Sequence, residues 1–146
     1  MKKVLNSSFI AVLVCLVMGL TFSSCKKESD AEKSYTGKWE IKKVSNDGKT
    51  WEDVTSDESI SLHSNKKVTA TGAFGMIITA LTKEGIDVKW KAEGKVIDVY
   101  ATQDKKEANV WTMTEIDPVE SQNQTFKITV ASDNKVTFIQ ALRSDL

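Results

Sequence analysis

Ile86-Asp87-Val88-Lys89-Trp90-Lys91 alternates apolar and charged residues without a break, and that period of two runs through most of the chain. Successive side chains of a strand point to opposite faces, so this alternation predicts strands with one face buried and the other in water. The same rhythm occurs in Gly37 to Val44, with Trp39 and Ile41 on one face, and in Ser59-Ile60-Ser61-Leu62-His63. It returns in Val96 to Thr102, Val110 to Ile116, Thr125 to Val130 and Val136 to Ala141. Asn46-Asp47-Gly48, Asn65, Glu93-Gly94 and Asp133-Asn134 supply turns, and Pro118, the only proline, stops a strand. These residue types tolerate positive φ or break a ladder. Lys49 to Val54 and Lys67 to Thr71 read as returning strands. About eight to ten short antiparallel strands at regular spacing predict an all-β domain, an up-and-down barrel or a β-sandwich.

Gly72 to Leu81 breaks the rhythm: it is apolar without alternation and too short to cross a membrane. One reading is a fully buried strand or a short helix. The other is a lid over one end of the domain, carried by Phe74, Gly75, Met76 and Ile77, with Gly72 and Gly75 as hinges.

The N-terminus has a different character. Lys2 and Lys3 precede Phe9 to Leu20, an unbroken run of apolar or small residues of the length of a signal-peptide core. Thr21-Phe22-Ser23-Ser24 then leads to Cys25. This order resembles the lipobox of bacterial lipoproteins, departing from it at Phe22, where an aliphatic residue is usual. The resemblance implies a helical signal peptide over residues 1–24 and acylation of Cys25 with diacylglycerol and palmitate. It also implies a Gram-negative outer membrane as the site, on the periplasmic face or the cell surface. The alternative is ordinary secretory cleavage, which would leave Cys25 a free thiol. Cys15 falls within the discarded segment, so Cys25 has no disulfide partner. One acyl chain binds a membrane only marginally, whereas several make a durable anchor.

Removing residues 1–24 from the 146-residue chain leaves 122, enough for one domain with a real core. It also takes away two lysines and no acid, so the balanced tally of 20 basic and 20 acidic residues becomes a net charge of −2. Residues 25–34 are polar and read as a flexible tether, about 30 Å long if fully extended, ahead of a domain over 35–146. Lys26-Lys27-Glu28-Ser29-Asp30 partly resembles the charged tag of surface-directed lipoproteins.

Within that domain, Gly37-Lys38-Trp39 opens the first strand and Arg143, the only arginine, follows the last. The pair resembles the lipocalin and calycin barrels, in which the tryptophan of a Gly-x-Trp motif packs beneath an arginine from the chain's end. A flat guanidinium stacks on an indole better than an ammonium does. The resemblance implies an up-and-down barrel with Gly37, Trp39 and Arg143 as structural residues. Val96-Ile97-Asp98-Val99-Tyr100 lacks the family's threonine–aspartate–tyrosine run, and the usual disulfides are absent.

The chain is poor in catalytic material. His63 is the only histidine, which leaves almost nothing for histidine-clustered metal sites or a Ser-His-Asp triad, and it is expected on the solvent face of its strand. Glu52 with Asp53 and Asp57 with Glu58 are neighbours that a strand would turn to opposite faces. Lysines are scattered rather than striped, against the pattern of nucleic-acid binding. Neither an enzyme nor a cofactor is expected. Trp39 and Trp90 fit inward faces, and Trp51 and Trp111 fit a rim. One functional reading is a lipid-anchored barrel holding a small hydrophobic ligand among Trp39, Ile41, Leu62, Val88, Trp90, Phe126, Ile128 and Phe138. The other is a non-enzymatic module with a filled interior that binds a protein or glycan through its rim.

Overall fold

A computed structural model describes residues 29–116 and 123–144. The segment read from the sequence as a signal peptide, Cys25 and Pro118 lie outside the described residues. The elements are α1 (Asp30–Tyr35), β1 (Gly37–Ser45), β2 (Glu52–Asp53), β3 (Ser59–Leu62), β4 (Val68–Thr71) and α2 (Gly72–Lys83). They continue with β5 (Asp87–Glu93), β6 (Val96–Gln103), β7 (Lys106–Glu115), β8 (Asn123–Val130) and β9 (Val136–Ser144). The protein is all-β in character: among the described residues nine antiparallel strands form one sheet, not the two of a sandwich, in the order β4-β3-β1-β9-β8-β7-β6-β5, with β2 paired to β1.

Two local readings are corrected. Residues 30–34 do not belong to a free tether. Ser29 and Glu32 form a capping box that starts α1, each side chain bonding the other's backbone N–H. The strand expected over Lys49 to Val54 shrinks to Glu52–Asp53. Asp47 Oδ1 accepts the N–H groups of Lys49 and Thr50, both at 2.8 Å, and so diverts them from a ladder. Those same bonds hold the Asp47 carboxyl below its ordinary pKa.

The sheet curls into a half-barrel whose concave face carries the core. Trp39, Ile60, Leu62, Trp90, Ile97, Val99, Phe126, Ile128 and Ile139 are fully buried on it. Phe138, expected inside, is not. Ile139 faces Val44 and Phe126 in register, which turns Phe138 to the other face, against the bare backbone of Gly48. Both phases of β9 are apolar there, so alternation alone does not choose between them.

The outermost strands return toward each other. Lys67, just before β4, forms a single antiparallel bridge with Lys89 of β5, and Trp90 N–H donates to the Lys66 carbonyl at 3.0 Å. The two helices flank this seam. At one end Ala92 N–H of β5 donates to Glu32 Oε2 (3.2 Å), and Ser29 Oγ donates to the Ala92 carbonyl (3.4 Å). Glu32 also pairs with Lys66, so one carboxylate ties both sides of the seam to α1. At the other end α2 packs against β3, β4 and β5. An edge covered in this way is protected from pairing with other chains.

Candidate functional site

The two ends of the half-barrel are built differently. At the α1 end, Tyr35, Trp39 and Phe126 pack edge-on or tilted, with ring centroids 5.2–6.3 Å apart. Trp39 Nε1 donates to the Tyr35 carbonyl (2.8 Å), and Tyr35 Oη donates to Glu115 Oε1 (2.7 Å). Burial first, then the Glu115 carboxylate, pushes the Tyr35 phenol far above its ordinary pKa, so it stays a donor. Arg143 lies with Cζ 5.9 Å from the Trp39 ring centroid, and its Nη1 donates to the Ser34 carbonyl at 2.7 Å. This end is plugged by aromatic rings whose polar atoms are bonded.

The α2 end is not. Val44 and Val130, which face inward by register, Val54, and Ile77 and Ile78 of α2 are only half-buried where they pack on the core. Beneath them lies Trp111, fully buried rather than at a rim. Its ring packs tilted against Phe74 of α2, with centroids 5.1 Å apart. Its indole N–H has no acceptor among the described residues. A buried donor without a partner costs about 1–3 kcal/mol and calls for an explanation.

Trp111 owes its position to a bulge. Val99 faces Trp111 while Tyr100 faces Asn109, so β7 carries one extra residue, Val110, and both Val110 and Trp111 are buried. The sequence holds a trace of this, because apolar residues at 108, 110, 111 and 113 slip phase by one. Simple alternation from Met113 misses it.

The proposed lid residues Phe74, Gly75, Met76 and Ile77 all belong to α2. Phe74 points at the core, and Met76 is 75% exposed on the opposite side. Gly75 is no hinge. A Cβ there would stand 2.6 Å from the Ala70 carbonyl, so its bareness lets the helix cross the end of β4. Glycines at positive φ do stand at the two ends of α2, Gly72 (+73°) and Gly85 (+77°). The Thr71 side chain does not cap the helix; instead Glu58 Oε1 accepts the Ala73 N–H at 3.3 Å. The negative carboxylate also suits the helix N-terminus.

Seven of the eight expected lining residues, Phe138 excepted, lie on the concave face, and all seven are buried large side chains. Two grooves open at the α2 end: one of about 660 Å³ along Thr71, Gly72, Gly75, Met76 and Thr79, and one of about 180 Å³ over Val44, Ser45 and Asp47. His63 is half-buried, with Nε2 2.8 Å from Thr69 Oγ1. Trp51 is half-buried before β2. Among the described residues there is no cluster of three His, Cys, Asp or Glu able to hold a metal, and no helix long and apolar enough to cross a membrane. Comparison with protein-family models, curated proteins and solved structures gives no match.

Proposed function

We propose that this chain is a lipid-anchored envelope lipoprotein whose lipocalin-like barrel takes a small apolar molecule at the α2 end. The observation that carries the ligand reading is the buried, unpartnered indole N–H of Trp111 beneath Phe74. A carbonyl or carboxyl oxygen on an otherwise apolar ligand is a partner of the right kind: it would satisfy the donor while the rest of the molecule meets Val44, Val130, Ile77 and Ile78. Such a site, apolar with one or two placed polar groups, is the usual form of small-ligand recognition. The barrel reading is supported by the consecutive order of the strands around the sheet and by the bridge between its outermost strands. It is supported too by the stack of Arg143 on Trp39. The glycines flanking α2 give the helix a means to move aside for entry.

Native mass spectrometry of the purified protein tests the ligand. Bound small-molecule mass is expected on the wild type and should be lost in Trp111→Phe; a wild type carrying no added mass would count against the reading. The anchor is tested separately. Cys25→Ala should leave a folded protein that no longer pellets with membranes or takes up a fatty-acid label, and labelling of that variant would refute lipidation at Cys25.

A further inference from the structure

The seam carries an arrangement that packing does not explain. Among the described residues Lys67, just before β4, and Lys89 of β5 are partners in the one backbone bridge that joins the two edges of the sheet. The bond from Trp90 N–H to the Lys66 carbonyl flanks the pair, which makes it the non-hydrogen-bonded type, whose side chains stand closer together. Both side chains share a face, and because Val68, Val88 and Trp90 point into the core, that face is the outer one. Like charges directly opposed across strands are destabilising. Among the described residues neither ammonium has an ion pair. The nearby carboxylates are engaged elsewhere: Glu32 with Lys66, and Glu107 with Lys91. Asp87, two residues along β5, makes no ion pair with Lys89. Tyr100 faces Lys89 in register on β6; the Lys91 ammonium lies 4.8 Å from its ring centroid, and its hydroxyl has no hydrogen-bond partner among the described residues. Burial, then the charges of Glu107 and Glu32, pushes its pKa up to about 12, so it remains a donor.

We propose that Lys67 and Lys89 form a binding site for a doubly charged oxyanion, a phosphate or phosphomonoester group, lying across the seam. Each ammonium offers three donors. One dianion between them replaces a repulsion by two charge-assisted hydrogen bonds, with Tyr100 as a neighbouring donor. Because the two lysines sit on strands joined by a single bridge, the bound anion also clamps the sheet. The site lies on the outer face and does not depend on the ligand reading at Trp111.

Thermal unfolding of the whole protein in sodium phosphate, against sodium chloride at matched ionic strength, provides the test. At phosphate about ten times its Kd, the melting temperature should rise by about 3–6 °C over chloride. Lys89→Gln should weaken phosphate binding, followed by phosphorus NMR line broadening, roughly tenfold. Lys67→Glu should abolish the phosphate response and melt higher than wild type in chloride, since it pairs with Lys89. Equal melting in the two salts, or a phosphate effect that survives in Lys67→Glu, overturns the proposal. Flotation in the Cys25→Ala background with phosphatidylcholine vesicles, with and without phosphatidic acid, separates the sources. Flotation that needs phosphatidic acid and Lys67 points to a headgroup, and no flotation with the phosphate response intact points to a free phosphate.

Discussion

Gly37 shows how one residue can hold a motif together. Its φ of +144° favours glycine, and a Cβ there would come within 2.9 Å of the Ser144 carbonyl and 3.0 Å of Arg143 Nε. Without a side chain at 37, Arg143 crosses β1, lays its guanidinium by Trp39 and reaches the last carbonyls of α1. A cation at a helix C-terminus is favourable both as a donor and against the helix dipole. Lysine could supply the charge but not the flat stack together with the fork of donors. A double-mutant cycle in denaturant, pairing Trp39→Phe with Arg143→Lys, should yield a coupling of about 0.5–1 kcal/mol. A value indistinguishable from zero would mean that Arg143 acts only through the α1 carbonyls. Gly37→Ala should cost about 1–3 kcal/mol, through both the strained φ and the crowding.

At the scale of elements, α1 matters more than its six residues suggest, because Glu32 binds the backbone of β5 and the ammonium of Lys66 at once. Burial alone would raise the Glu32 pKa, but the bonds from Lys66, Ser29 and Ala92 outweigh it and hold the carboxyl below its ordinary value. A folded-state pKa below the unfolded one gives stability that is full above the ordinary carboxylate range. That stability is lost as pH falls through the range toward the folded value. Glu32→Gln should therefore destabilise by about 1.5–3 kcal/mol at neutral pH, and the gap between variant and wild type should narrow as the solution is acidified. A gap that stays constant with pH would show that the charge of Glu32 does not hold the seam.

What was legible in the sequence follows from what local patterns encode. Period two located the main strands, because each buries one face, and Gly37, Trp39 and Arg143 stood out as residue types that few other contacts require. Helix α1 was hidden, because it docks through the polar contacts of Ser29 and Glu32 and leaves little apolar stripe to detect. The position of Trp111 was hidden too, because one bulged residue shifts the phase of β7. The partnering of Lys67 with Lys89 is wholly tertiary, joining residues on strands that no turn connects.

At the scale of the molecule, the two ends of the half-barrel divide the work. The chain enters at α1, where aromatic rings and their bonded polar atoms close the core. The end under α2 keeps half-buried apolar side chains over one unsatisfied donor, and the two grooves at this end lie beside that donor rather than over it. With an acyl anchor at Cys25, close to α1 in the chain, the α2 end would face away from the membrane and toward whatever it captures. The central claim is that this end takes an apolar molecule through Trp111, and the indole N–H signals of the four tryptophans test it most directly by NMR. Trp39 and Trp90 serve as internal controls, since their N–H groups already donate to the carbonyls of Tyr35 and His63, both at 2.8 Å. Titration with dodecanoic acid, an apolar chain ending in one acceptor, should shift the signal that disappears in Trp111→Phe and leave those of Trp39 and Trp90 in place. An unmoved Trp111 signal, or equal shifts of all four, would contradict the account.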